Sequence, residues 1–189
     1  NRSSAASDVY KRQEAWRFFA KLLEKQENHT QACSAFETAF NLYTKAGIQY
    51  SSLQLQSEYA NCLYHSGNKE QSNQQLYQAH QELIQLGYKR EAAHTQVYIA
   101  NHLQESYPKL ALILLKDAII KHSVEDDIQA QFDSTLKVIA LLEKMGSENT
   151  HQYVESAIQL SQKAYSQRLP PIWRAKLSEN RRQLYEKLI

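Results

Sequence analysis

Glycine and proline are scarce in this chain, four and three among 189 residues. So few of either leaves little material for the turns that a β-rich fold requires. There is no G-x-x-x-x-G-K and no G-x-G-x-x-G, so no glycine loop of the kind that cradles phosphate. Long apolar runs are missing as well. The longest, Leu110 to Leu115, is far too short to cross a bilayer. Cysteine is limited to Cys33 and Cys62, too few for a disulfide framework. Each falls inside a helical pattern and reads as a small structural hydrophobe. The seven histidines (His29, His65, His80, His94, His102, His122 and His151) form no H-E-x-x-H and no short His/Cys cluster. His94 and His102 are two helical turns apart but have no carboxylate at ligand spacing. No nucleophile elbow is present. The expectation is a non-enzyme with no catalytic, cofactor-binding or metal residues.

An excess of one charge is missing too. The chain holds 22 basic and 20 acidic side chains. Residues 1–13 contain Arg2, Lys11, Arg12 and Asp8, which leaves 19 of each sign in the remainder. A balance of that kind gives no support for direct nucleic-acid binding. Ser3 to Gln13 lacks apolar periodicity, and all eleven residues are similar to the in-frame translation of a transposon-end sequencing adapter. Residues 1–13 are therefore set apart as a non-native tail, expected to be disordered or irregular. The rest reads as a fragment of a larger protein, truncated at both ends.

What is abundant favours helix: Gln, Leu, Ala, Glu and Lys dominate. They are organised by a repeat. Ala20, Ala60, Ala100 and Ala140 recur every forty residues, each preceded by a large apolar residue: Phe19, Tyr59, Ile99 and Ile139. Leu23, Leu63 and Leu103 follow three residues later; in the fourth copy Glu143 stands there, with Leu142 beside it. This spacing places the three on one helical face. The small residue lets a neighbouring helix approach closely. A second helix follows in each copy, marked by Ala32, Phe36 and Ala39, then by Ser72, Leu76 and Ala79. The third copy has Ala111, Leu115 and Ala118, one residue early because Pro108 opens that helix. Ala157, Ser161 and Ala164 are the fourth.

Trp16, Phe19, Ala20, Leu23, Ala32, Phe36 and Ala39 together resemble the signature of the tetratricopeptide-repeat (TPR) family. Gly67 adds the inter-helix turn of the second copy. The forty-residue period is longer than the family's usual 34 or so. In that respect the chain is similar to long-repeat arrays of bacterial signal-responsive regulators. The resemblance implies an all-α, right-handed superhelical solenoid of about four antiparallel helix pairs plus a terminal helix. Helices are predicted near 14–27, 29–46, 50–66, 69–86, 89–106, 108–122, 125–145, 149–167 and 171–188. The repeats fall near 13–47, 48–87, 88–123 and 124–167, and the terminal helix at 171–189. Pro170-Pro171 breaks the chain before that last helix. Its apolar stripe, Trp173, Leu177, Leu184 and Leu188, either covers the preceding pair or begins another.

The family binds protein or peptide segments in a concave groove lined by the first helix of each pair. Carrying those positions over gives Arg17 and Lys21, then Gln54, Ser57, Asn61 and Tyr64. The third repeat gives His94, Val97, Asn101 and Gln104, and the fourth Lys137 and Leu141. Asn61 and Asn101 occupy one repeat position and form a two-rung amide ladder able to pair with an extended peptide. Arg17 with Lys21 is similar to the cationic groove end that holds a peptide carboxylate. Tyr59 and Tyr98 are expected in helix packing, with Tyr64 facing the groove. Charge is uneven along the chain. Residues 124–155 hold seven acidic side chains and residues 163–189 seven basic ones, segments expected to meet each other or to sit in solvent.

The function implied is a non-catalytic scaffold for a protein or peptide, cytoplasmic, without direct contact to nucleic acid or membrane. The alternative is a sensory or regulatory segment of a signalling protein: a transcriptional regulator, a sensor kinase or a diguanylate cyclase.

Overall fold

The structure, a computed structural model, describes residues 2–166 and 171–187, and side chains at 11–12, 14–166 and 173–187. Among the described residues every regular element is an α-helix, and short turns join them. The helices are α1 (Arg2–Lys25), α2 (His29–Lys45), α3 (Gln49–His65), α4 (Lys69–Gln85) and α5 (Lys89–Leu103). After these come α6 (Pro108–Val124), α7 (Ile128–Lys144), α8 (His151–Tyr165) and α9 (Pro171–Glu186). The sequence places the first helix near residue 14, whereas α1 begins at Arg2. It runs back through the stretch set apart as a tail, where Ala5, Ala6, Lys11, Arg12 and Gln13 are good helix formers. Pro171 opens α9; Pro170 and Leu188 lie outside the described residues. No described helix is long and apolar enough to cross a membrane.

The chain divides between Tyr98 and Ile99, within α5, into two compact units. In the first, α1 packs on α2, α2 on α3 and α3 on α4. The core joins Ala20 and Leu23 of α1, Ala32, Phe36, Ala39 and Tyr43 of α2, and Leu55 and Cys62 of α3. Ala20, Ala32, Ala39, Ala60, Ser72 and Ala79, the small residues of the repeat, are all fully buried. At Ser72 the approach of α4 to α3 is close enough for its hydroxyl to donate to the Ala60 carbonyl at 2.5 Å. A larger side chain at either position would push the helices apart.

Six of the described turns share one geometry. At the end of α3 the Gly67 N–H donates to the Tyr64 carbonyl, and the Asn68 N–H to the Leu63 carbonyl at 2.9 Å. Gly67 takes φ +94°, the left-handed conformation that closes a helix C-terminus. Gly47, Gly87 and Gly146 end their helices in the same way. Glu27 (φ 59°) and Asp126 (φ 52°) do so without the freedom of glycine, at a cost of about 1–2 kcal/mol each.

The reading of the cysteines needs correcting. Cys33 of α2 and Cys62 of α3 do not stand apart as buried thiols but pair as a disulfide, with Cα atoms 5.5 Å apart. The sequence hides this because 29 residues separate them. Packing of consecutive helices brings the start of α2 against the end of α3.

In the second unit α6 packs on α7, α7 on α8 and α8 on α9. Ile128, Phe132 and Ile139 of α7, Val154, Ala157, Ile158 and Ala164 of α8, and Trp173, Leu177 and Leu184 of α9 form its core. The α9 stripe thus covers α7 and α8, with the Trp173 ring edge-on to Phe132 at 6.3 Å.

Here the fourth alanine departs from expectation. Ala140 is exposed, while Val138, Ile139, Leu141 and Leu142 are buried. The cause is the one-residue contraction at Pro108. Helices α2 and α4 start at 29 and 69, but α6 starts at 108, and α7 follows at 128 rather than 129. One residue is about 100° of helical rotation, enough to turn Ala140 into solvent. Ile139 takes the place of Ala60, each five residues before the end of its helix, and Leu142 takes the place of Leu63. The oppositely charged segments do meet: Lys163 pairs with Asp126 at 3.3 Å, Lys176 with Asp133 at 3.1 Å, and Lys187 with Glu143.

Candidate binding site

The first unit contains a pocket of about 230 Å³ walled by first helices only. Arg17 and Lys21 come from α1, Gln54, Ser57 and Glu58 from α3, and Glu91, His94, Thr95 and Tyr98 from α5. Five of the groove residues expected from the sequence, Arg17, Lys21, Gln54, Ser57 and His94, are brought together here.

Its centre is Glu58, whose carboxylate is largely buried. Arg17 grips it with two hydrogen bonds, Nε to Oε2 at 2.9 Å and Nη2 to Oε1 at 2.7 Å. Lys21 Nζ adds an ion pair at 2.9 Å. Two parallel N–H···O bonds are the geometry in which guanidinium binds carboxylate best. Burial by itself would lower the Arg17 pKa; the hydrogen bonds and charge of Glu58 outweigh it and raise it. The two cations expected to hold a peptide carboxylate are therefore already engaged by a carboxylate of the chain itself.

The surrounding groups are tied down likewise. Tyr50 donates to Glu91 at 2.6 Å, which with burial pushes the phenol up to about 12. The Ser57 and Thr95 hydroxyls lie 2.8 Å apart, and Thr95 donates to the Glu91 carbonyl. Burial, then Glu58 and Glu24, raise the Tyr98 pKa, so its hydroxyl stays protonated. Beside the pocket, burial and the charge of Glu58 push the Glu24 carboxyl up to about 7, against the opposing pull of Lys21 and of a hydrogen bond from Asn61. A second carboxylate next to Glu58 is the costly one to ionise.

No family model matches the sequence, and no curated protein matches it.

The remaining expected groove residues are placed elsewhere. The Asn61 amide serves Glu24. Tyr64 lies beneath Lys69 Nζ, 5.2 Å from its ring centroid, and edge-on to His65. Asn101, Gln104 and Lys137 belong to the second unit: Asn101 half-buried on α5, Gln104 exposed after it, Lys137 exposed on α7. Val97 and Leu141 are buried and so cannot line a groove.

Sequence reasoning missed Glu58, Glu91, Thr95 and Tyr98. A signal for two of them exists. Arg17 and Glu58, like Tyr50 and Glu91, are separated by 41 residues. One repeat plus one residue is one of the offsets at which side chains of successive first helices meet in this unit.

Proposed function

We propose that this chain is a non-catalytic scaffold of the tetratricopeptide-repeat type that binds an extended protein or peptide segment. The observation that carries the reading is the pocket, where polar side chains from three first helices converge on one surface. Lys21 is exposed, and Gln54, His94, Glu91 and Tyr98 are only partly buried, so donors and acceptors of both signs remain within reach of a ligand. A backbone amide fits Gln54, which offers both functions. Cations near the ligand would meet Glu91 and Glu58. An incoming carboxylate would have to compete with Glu58 for Arg17 and Lys21, which favours a segment read by its middle over one held by its C-terminus.

A peptide-array screen followed by titration calorimetry tests this. The double change Lys21→Ala with Gln54→Ala should weaken the best peptide at least about tenfold, a loss of roughly 1.4 kcal/mol. Binding unchanged in that variant, or an array with no binder, would overturn the assignment.

A further inference from the structure

A second group of residues converges away from the pocket, where α2 begins and α3 ends. His29 and Cys33 lie four apart on α2, and Cys62 and His65 three apart on α3. Both spacings put the pair on one face of its helix. The two faces meet: the Cys33 and Cys62 sulfurs are bonded, the His29 and His65 rings stack at 5.6 Å, and Cys62 Sγ is 3.3 Å from the His29 carbonyl oxygen. His29 Nδ1 is buried with no hydrogen-bond partner, an uncompensated polar atom.

We propose that reduced Cys33 and Cys62, with His29 and His65, form a tetrahedral site for Zn²⁺. Two thiolates and two imidazoles are a donor set that this borderline-soft ion prefers, in four-coordinate geometry. The charges close: two thiolates neutralise the dication, so the loaded site is neutral, as suits a half-buried position. Spacings of four and three residues on two packed helices bring all four donor residues to one helix contact. The disulfide and the metal exclude each other, because a bonded sulfur is not a thiolate ligand. A phosphine or dithiol reductant supplies two electrons, two protons complete the two thiols, and the reductant leaves oxidised. Zinc then displaces those two protons. The site links metal loading to the redox state of the α2–α3 pair.

Cobalt(II) is the probe. Tag-free chain, reduced with a phosphine under argon, is titrated with Co²⁺ and then Zn²⁺ while circular dichroism follows helicity. The expected result is one equivalent of cobalt with intense tetrahedral ligand-field bands and a thiolate-to-metal charge-transfer band, both removed by zinc. The oxidised chain should show neither. Cys33→Ser with Cys62→Ser should abolish the charge-transfer band. His29→Ala or His65→Ala should weaken zinc by more than the roughly 10–100-fold that loss of an outer partner costs. A reduced wild-type chain that gives no charge-transfer band, whether it stays helical or unfolds, would overturn the site. So would an affinity equal to that of the double serine variant. Peptide binding at the pocket is read separately and does not enter this result.

Discussion

In the first unit the helix contacts are lined by Ala20, Ala32, Ala39, Ala60, Ser72 and Ala79, all fully buried. In the second unit Val138, Ile139 and Leu142 fill the positions that Tyr59, Ala60 and Leu63 hold in α3, while Ala140 faces solvent. The charge arrangements differ in the same direction. Glu58 in the first unit is buried and held by two cations. The Lys163–Asp126 and Lys176–Asp133 pairs of the second are largely in solvent. One repeat thus accommodates close approach of helices with a hydroxyl-to-carbonyl bond, and another a contact filled by larger, branched side chains. A slip of one residue separates them.

The largest expected effects test that slip directly. Ile139→Ala should cost about 2–4 kcal/mol through the cavity it leaves, and Ala60→Leu about 1–3 kcal/mol through overpacking. Ala140→Leu should stay within about 0.5 kcal/mol of wild type. Urea melts of the three variants check this, and an Ala140→Leu as damaging as Ala60→Leu would remove the phase argument.

Next comes the contrast between buried and exposed charge. Glu58→Ala leaves Arg17 and Lys21 facing each other in a partly buried site and should cost about 2–3 kcal/mol. Asp133→Ala, which removes an exposed pair, should cost at most about 1 kcal/mol. Salt should narrow the second difference and leave the first largely intact.

A smaller effect depends on pH. Glu24 titrates at about 7 in the folded chain and near 4.3 when unfolded. Between those values the folded state holds the extra proton, so this group's contribution is complete below about pH 4 and is lost as pH rises through 7. Glu24→Gln should therefore match wild type near pH 4 and exceed it near pH 8 by an amount on the order of 1–2 kcal/mol. Thermal melts across that range measure it. Equal differences at both ends would mean the carboxyl titrates normally.

The smallest expected gain distinguishes the turns. Glu27→Gly in the first unit and Asp126→Gly in the second should each stabilise by about 0.5–1 kcal/mol, since both residues hold a left-handed φ. No gain in thermal melts from either would mean that the strain is relieved by something other than the backbone.

Most of the helix pattern was legible in the order of residues, because packing periodicity is written locally. Among the described residues, eight of the nine helix starts lie within about three residues of expectation; the exception is α1, whose first residues carry no apolar period to mark them. The spacing of Gly47, Gly67 and Gly87 every twenty residues also marks helix ends, a shorter period nested in the forty. Five of the pocket residues followed from repeat position. The rest did not, since a carboxylate such as Glu58 becomes the centre of a site only through groups 41 and 37 residues earlier in the chain.

By itself, then, the sequence determined that this chain is helical, where most of its helices begin and end, and which small residues recur, because these depend on propensity and on contacts within a turn or two. Tertiary structure alone decided that Arg17 and Lys21 are occupied by Glu58, that Ala140 turns outward, and that Cys33 meets Cys62 beside His29 and His65. Those outcomes depend on the register of one helix against the next, and a single residue of slip, about 100° of rotation, is enough to change them.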